Sequence, residues 1–499
     1  MSEAAAIERA EALSAEGKTA EAVAITEALV TGPAPSHLAL AMHSGALKRD
    51  GRSLEALEFD RQAVARFGEN PVAWHNIAAT LDDLGRAEEA VEACENAFRR
   101  GMDAPQTFAV YARALRAVGN HQRADYAYRQ SLMRAPAEVG VASEFANHLW
   151  MITGDLKVAD SALDSAFHAG APPGPLLIAK SALYEASGDL ERAFSLMERS
   201  SERMPGDAFV HMAAVEYALR LNRVTAAEAF SRRAEGVEPR SRSVIQYSAI
   251  VDLAAGQPAE AFRKLQGALK DHPNDQSLWG WMAVAARAVG DPMYQWLCDY
   301  EKMVGVYDLE TPAGWPNLEA FLADLANELK AVHVYRQHPT NQSMRHGSQS
   351  MHMLSGSNAP PIKAFFEALE KPIREHMAWL GQGDDPLRRR NTFDYRMVGA
   401  WSVRLKPNGF HRDHFHPDGW LSSAFYVETP DTALDTEERQ GWIRFGQPPF
   451  MTDPPMPAEH YVRPKPGRLV LFPSYFWHGT VPFTTDEVRM TIAFDVVPK

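Results

Sequence analysis

Through roughly the first three hundred residues, apolar positions recur at the three-to-four-residue period of amphipathic helices. Short polar turns cut these runs, and the turns repeat: EGKTAEA, DGRSLEA, LGRAEEA, VGNHQRA, TGDLKVA, SGDLERA and AGQPAEA. Their glycines are Gly17, Gly51, Gly85, Gly119, Gly154, Gly188 and Gly256. Asn222 in LNRVTAA fills the vacant slot, and Gly290 closes the series. The spacing is 34 residues throughout, with a single step of 35 between Gly119 and Gly154. An alanine stands five residues after each of the first eight anchors, at 22, 56, 90, 124, 159, 193, 227 and 261; only the last copy, with Gln295, breaks the rule.

This pattern predicts pairs of helices joined by a tight turn. The turn needs a left-handed residue, which glycine adopts freely and asparagine next most readily. The alanine is small because two helices must approach closely there. One helix pair cannot bury its own apolar face, so the pairs are expected to stack into a solenoid. The first unit reads as lacking a full leading helix, and the last is altered by Asp291-Pro292; both read as caps. A 34-residue period of this kind resembles the tetratricopeptide repeat family over about residues 1–305. The resemblance implies a groove that presents itself to a peptide or protein. A bare scaffold, or a surface for forming a homodimer, is the competing role.

Beyond residue 305 the period stops. ETPAGWPN is a turn-rich linker, and NLEAFLADLANELKAV has helical spacing over 317–332. Residues 338–361 read as a long polar loop with three histidines, and a helix is expected from Pro361 onward. From Asn391 the pattern changes to short β-branched and aromatic runs: RMVGAWSVRL, WLSSAFYVE, GWIRFG, GRLVLFP and VRMTIAFDVV. The expected organisation is an all-α solenoid over 1–305, a linker with helices and a loop over 306–390, and an antiparallel β sandwich or barrel over 391–499. The fold class is multidomain α + β.

Between the first two of those strands lies HRDHFHPD, residues 411–418. In extended chain, residues i and i+2 point the same way, so a His-x-His or His-x-Asp pair can supply two adjacent metal ligands. A histidine from a distant strand can supply a third, and His478 after LVLFPSYFW suits that role. Two histidines and a carboxylate would hold Fe(II) with open positions. The residues leave three choices open: His414 with His416, His411 with Asp413, or a set using Asp418. Three imidazoles would still leave open positions but would lack the carboxylate's charge. Arg489 begins the last strand, where a guanidinium can hold a carboxylate in two-point contact.

The order NGFHRDHFHPDGWLSSAFYVE, GWIRFGQP, PKPGRLVLFPSYFWHGTVPF and DEVRMTIAFDV resembles the Fe(II)/2-oxoglutarate oxygenase superfamily, and the NQSMRHGSQS loop resembles a stretch that precedes the barrel in its relatives. The resemblance covers about 335–499. It implies a double-stranded β-helix (jelly-roll) domain, with Fe(II), 2-oxoglutarate and O₂ as cofactor and co-substrates. It places the metal on His414, His416 and His478, and the far carboxylate of 2-oxoglutarate on Arg489 and Thr491. Ser423 departs mildly from the glycine expected in the strand after the cluster. The implied activity is hydroxylation of an amino-acid side chain on a peptide or protein delivered by the repeats. Two other classes stay open: a non-catalytic repeat scaffold with a degenerate barrel, and a cupin-type metal enzyme that does not use 2-oxoglutarate.

The remaining candidates receive ordinary structural roles. His338, His346, His352 and His460 read as surface histidines, Arg404 as a strand-edge ion pair, and Trp420, Tyr426 and Trp477 as core. Arg345, in the polar loop, could close over the site. Composition adds exclusions. A net charge of −13 lacks the basic footprint of a nucleic-acid protein. Two distant cysteines, Cys94 and Cys298, make neither a disulfide framework nor a CxxC zinc site, and read as small buried hydrophobes. The start MSEAAAIERAEAL has no apolar signal region and no stretch is long enough to span a membrane, so a cytoplasmic protein is expected.

Overall fold

Left-handed residues at the repeat anchors set the architecture of the first three hundred residues. In the computed structural model, which describes residues 2–351, 353–435 and 437–499, every anchor has a positive φ, from 54° at Asn222 to 89° at Gly188. Each anchor joins two helices, as Gly51 joins His37–Arg49 to Ser53–Phe67 and Asn222 joins Ala208–Arg220 to Val224–Val237. The eight alanines that follow the anchors are all 0 % exposed. A β-carbon is as much as the helix packing admits at those positions, and this is why the alanine keeps register with the turn.

The two terminal units differ from each other. The first has a full leading helix, Glu3–Ala15, correcting the expectation of a truncated one; Ser2 caps it by accepting from the Ala5 N–H, and Ala6, Ala10 and Leu13 bury its inner face. In the last, Gln276–Val289 is followed by two short helices, Met293–Leu297 and Tyr300–Met303, in place of a full second helix, as Asp291-Pro292 suggests. Cys94 and Cys298 are both buried and form no disulfide. No helix among the described residues is long and apolar enough to cross a membrane.

The chain divides into two compact units, residues 1–141 with 351–358, and residues 142–350 with 359–499. In the first unit the 351–358 segment packs onto the third repeat turn, where a β-carbon on Gly85 would strike the Met353 carbonyl oxygen. Gly85 therefore answers two demands, its φ of 73° and this close approach.

The second unit carries the strands. Among the described residues these are β1 (Gly305–Asp308), β2 (Met344–Gln349), β3 (Tyr395–His411), β4 (Leu421–Glu428), β5 (Ile443–Phe445), β6 (His460–Val462), β7 (Arg468–Pro473), β8 (His478–Thr480) and β9 (Arg489–Pro498). They form two antiparallel sheets of a jelly roll, ordered β1-β7-β4-β9-β3-β2 and β6-β5-β8. Trp420, Phe425, Phe472 and Phe494 are fully buried; Phe472 meets Phe445 of the second sheet, with ring centroids 5.1 Å apart, and Phe425 packs on Phe365.

Two local expectations change. The polar segment 338–361 is not structureless: Met344–Gln349 pairs with β3, because Ser348, Ser350 and Gly347 find their partners in that strand's backbone. The helix expected from Pro361 is two, Pro360–Ala368 and Glu370–Leu380. Pro372 has no N–H for the Ala368 carbonyl, so the helical ladder breaks there. The helix over Leu318–Val332 forms as expected, capped by Asn317 Oδ1 accepting from Ala320 N–H at 2.8 Å.

Candidate metal centre and its cavity

β3 ends at His411, and the chain then runs antiparallel to the segment entering β8. His414 and His478 exchange backbone hydrogen bonds of 2.9 and 2.8 Å, and the His416 N–H donates to the Ser474 carbonyl at 2.9 Å. This pairing draws His414, His416 and His478 together, with one ligand atom from each lying within 4.8 Å of the other two.

The second nitrogen of each ring is held. His414 Nδ1 lies 2.8 Å from the Arg412 carbonyl oxygen, and His478 Nδ1 lies 2.9 Å from that of Phe476. His416 Nδ1 lies 2.7 Å from Asp495 Oδ1. Acceptors on Nδ1 fix the proton there and leave the Nε2 lone pairs for the cluster, which is the tautomer a metal ligand needs. Burial, with the neighbouring imidazoles adding to it, pushes the His414 pKa down to about 3 and that of His478 well below its ordinary value. These two rings are therefore neutral donors at physiological pH.

The other candidates in the HRDHFHPD segment are engaged elsewhere. His411 places Nδ1 3.0 Å from Ser343 Oγ, and its backbone N–H donates to Thr480 Oγ1. Asp413 receives a two-point contact from Arg444 on β5, Nε to Oδ1 at 3.0 Å and Nη2 to Oδ2 at 2.6 Å. Asp418 is exposed at the rim.

Asp495 was missed by the sequence reading, although its signal was present. Alternate residues of β9, namely Arg489, Thr491, Ala493 and Asp495, line one cavity with the histidines. Counting in twos from Arg489 and Thr491 leads straight to it. Arg489 is 2 % exposed. Its Nε donates to the Gly441 carbonyl at 3.0 Å, and its guanidinium lies 5.0 Å from the centre of the Tyr426 ring. No acidic side chain among the described residues pairs with it. A buried cation facing a cavity without a carboxylate is a ready anion site. Thr491, also buried, stands two residues along the same strand face.

The cavity measures about 600 Å³, within the usual range for small-ligand sites. One edge rests on a shared carboxylate. Glu185 Oε2 lies 2.6 Å from Arg220 Nη1, Glu185 Oε1 lies 2.9 Å from Arg412 Nη2, and Arg345 binds the same carboxylate. Burial alone would raise the Glu185 carboxyl, but the guanidiniums of Arg220, Arg412 and Arg345 outweigh it and hold the group below its ordinary range. Arg345 is thus bound to the repeat helix Pro173–Ala186 rather than free to swing over the site.

Several background assignments also change. His338 is buried, not a surface residue, and burial lowers its pKa to about 4. His346 is exposed, and His460 is half-buried against Tyr300, with ring centroids 5.4 Å apart. His352 lies outside the described residues. Arg404 makes no ion pair among the described residues: β3 is an interior strand between β9 and β2, and Arg404 Nε is buried without a partner. Trp420, Tyr426 and Trp477 are buried as expected, though Trp477 also lines the cavity.

Comparison with known proteins agrees with both halves of the chain. Residues 399–495 match the family model described as "Putative 2OG-Fe(II) oxygenase", and residues 71–100 match that of the tetratricopeptide repeat. Among solved structures, the chain is similar to a tetratricopeptide repeat protein from Parabacteroides merdae at 13 % identity, covering 50 % of this chain and 98 % of that one, with a TM-score of 0.35. It is similar to the C-terminal part of a tetratricopeptide repeat protein from Cytophaga hutchinsonii, at 13 % identity, 48 % and 99 % coverage and a TM-score of 0.33. It is also similar to the Cut9-Hcn1 hetero-tetramer of the APC/C, at 16 % identity, 56 % and 54 % coverage and a TM-score of 0.32. No curated protein matches the chain. The chain thus joins tetratricopeptide repeats to a C-terminal domain of the 2OG-Fe(II) oxygenase kind.

Proposed function

We propose that this chain is an Fe(II)- and 2-oxoglutarate-dependent dioxygenase that hydroxylates an amino-acid side chain of a peptide or protein. The observation that carries this reading is the meeting, in one cavity, of three imidazoles with Nδ1 engaged and a buried Arg489 with no acidic partner. Three nitrogen donors on one side suit a first-row divalent ion with open positions. His414, His416 and His478 would hold Fe(II), and Arg489 with the Thr491 hydroxyl would hold the far carboxylate of 2-oxoglutarate. When bound, iron with O₂ and 2-oxoglutarate supplies the oxidising power to convert a C–H bond to C–OH, with succinate and CO₂ as co-products.

The chain's own residues provide position and dryness. Arg412, Phe476 and Asp495 keep the imidazoles in the ligating tautomer. The aromatic side chains of Phe415, Phe472 and Trp477 line the cavity and displace water from it. The repeats support a protein partner.

The test is succinate release from purified protein given Fe(II), 2-oxoglutarate and a tryptic digest of cell protein. Release that depends on the digest and disappears in His478→Ala supports the reading; no release above background overturns it. The all-imidazole donor set favours one second reading, a cupin-type metal enzyme. Its mark is turnover that continues without 2-oxoglutarate.

A further inference from the structure

The catalytic cavity is not made by the jelly roll alone. Its lining includes Glu216 on Ala208–Arg220, Gln246 and Tyr247 on Arg242–Ala254, and Trp281 on Gln276–Val289. These are the first helices of three consecutive repeats, so the repeat array forms part of the chamber itself.

This lining has unmet hydrogen-bonding capacity of both signs. The Glu216 side chain is 40 % exposed. Tyr247 donates its hydroxyl to Oε2 at 3.2 Å, and the cation Arg220 stands 4.0 Å away, nearer to Glu185. Tyr247 is the one hydrogen-bond donor to Glu216 among the described residues, so the carboxylate keeps accepting capacity in the cavity it lines. Gln246 Oε1 is a buried acceptor without a partner, and Arg412 Nε is a buried donor without one. Leaving such groups unpaired is costly, and a ligand offering both a donor and an acceptor relieves the cost.

Charge narrows the choice. Arg220, Arg345 and Arg412 face Glu185 and Glu216, three positive groups to two negative ones, and the positive excess disfavours an ammonium. The unpaired Gln246 acceptor and Arg412 donor call for a ligand that offers both an N–H and a C=O. The neutral group with an N–H donor and a C=O acceptor at fixed spacing is the amide. Trp281 adds a flat apolar surface, stacked on Phe450 at 6.2 Å and meeting Trp477 edge-on at 4.6 Å. A chamber of about 600 Å³ admits a short extended segment and excludes a folded domain.

We infer that the repeat-derived lining is a peptide-amide site: Glu216, Gln246 and Arg412 hydrogen-bond the main chain of an extended peptide whose side chain reaches the histidine cluster. The inference rests on the dioxygenase reading for the chemistry performed there, but the binding it describes is measurable without turnover.

The probe is an equimolar mixture of acetylated hexapeptide amides, set against the same mixture methylated at every backbone nitrogen and against free amino acids. Binding is read by quenching of tryptophan fluorescence, since Trp281 and Trp477 line the cavity. Succinate release is read in parallel. The expected result is binding of the plain peptides, at least tenfold weaker binding of the N-methylated ones, and at least tenfold weaker peptide binding by the Glu216→Ala/Gln246→Ala double variant. Equal binding of N-methylated peptides, stronger binding of free amino acids, undiminished binding by the double variant, or no peptide binding at all overturns the inference. Absence of succinate in every arm while quenching persists overturns the dioxygenase reading instead.

Discussion

His416 Nδ1 lies 2.7 Å from Asp495 Oδ1, and the Ser422 hydroxyl donates to the same carboxylate oxygen at 2.7 Å. A carboxylate accompanies the cluster after all, bound to one of the three imidazoles rather than placed among them. Such a partner orients the ring and raises its basicity. Asp495→Asn is expected to weaken metal binding by about 10- to 100-fold, read by titration with Co(II) and its visible absorption. An unchanged titration would remove Asp495 from any role at the metal.

His416 and Asp413 separate two rival ligand sets. His416→Ala is expected to weaken Co(II) binding by at least about 100-fold, because a first-row ion loses one of three protein donors. Asp413→Asn is expected to leave Co(II) binding within a few-fold of wild type while lowering stability. It weakens the two-point pairing between the buried Asp413 and the partly exposed Arg444, and breaking a fully buried pair costs about 3–5 kcal/mol, an upper bound for this one. Urea unfolding beside the titration distinguishes the two outcomes.

Arg489→Gln is expected to raise the KM for 2-oxoglutarate by about 10- to 100-fold, the loss of a charged hydrogen-bonding contact worth about 1.5–3 kcal/mol. Thr491→Val removes a single neutral hydroxyl and is expected to raise it by less than about tenfold. Steady-state succinate assays over a range of 2-oxoglutarate give both values. Equal KM in Arg489→Gln and wild type would sink the anchor.

Acid sensitivity follows from histidines buried away from the cluster. His333 sits between Ser348 Oγ and Ser402 Oγ, each 2.9 Å away, and burial lowers its pKa to about 3; His376, fully buried, is likewise lowered to about 3. The folded state thus holds these rings neutral while the unfolded chain protonates them near pH 6.5. Their contribution is fully present above that pH and is lost as pH falls toward 3, at about 1.4 kcal/mol per histidine for each unit below 6.5. Urea unfolding at pH 7.5, 6.5 and 5.5 should show the loss, and His333→Gln should flatten it. A slope unaffected by that substitution would exclude His333 as a source.

The repeat makes a backbone prediction. Asn222 stands at φ 54° where its sister anchors are glycine. Asn222→Gly is expected to be neutral within about 0.5 kcal/mol, whereas Asn222→Ala costs about 1–2 kcal/mol, the penalty of a β-carbon in left-handed backbone. Ala193→Leu, at a fully buried contact, is expected to cost about 1–3 kcal/mol through overpacking. Thermal unfolding ranks the three, and an Asn222→Ala variant as stable as Asn222→Gly would contradict the backbone account.

By itself the sequence determined whatever depends on local periodicity. The 34-residue anchors and their alanines specify the helix pairs, because a left-handed turn and a close helix contact are each satisfied within a few residues. Likewise the alternation of β-branched and aromatic residues after Asn391 specifies strands, and His-x-His marks a pair on one side of an extended chain. The tertiary structure alone decided which groups those residues meet. Arg444 engages Asp413 from a strand thirty-one residues away, Asp495 reaches His416 across the sheet, and Glu185 on a repeat helix binds Arg345 and Arg412. Such pairings depend on sheet register and on the packing of repeats beside the jelly roll; counting in twos from Arg489 puts Asp495 on the cavity face, but spacing does not name the partner it meets. For the same reason HRDHFHPD could propose five ligands, while only the fold drew His414 and His416 toward His478.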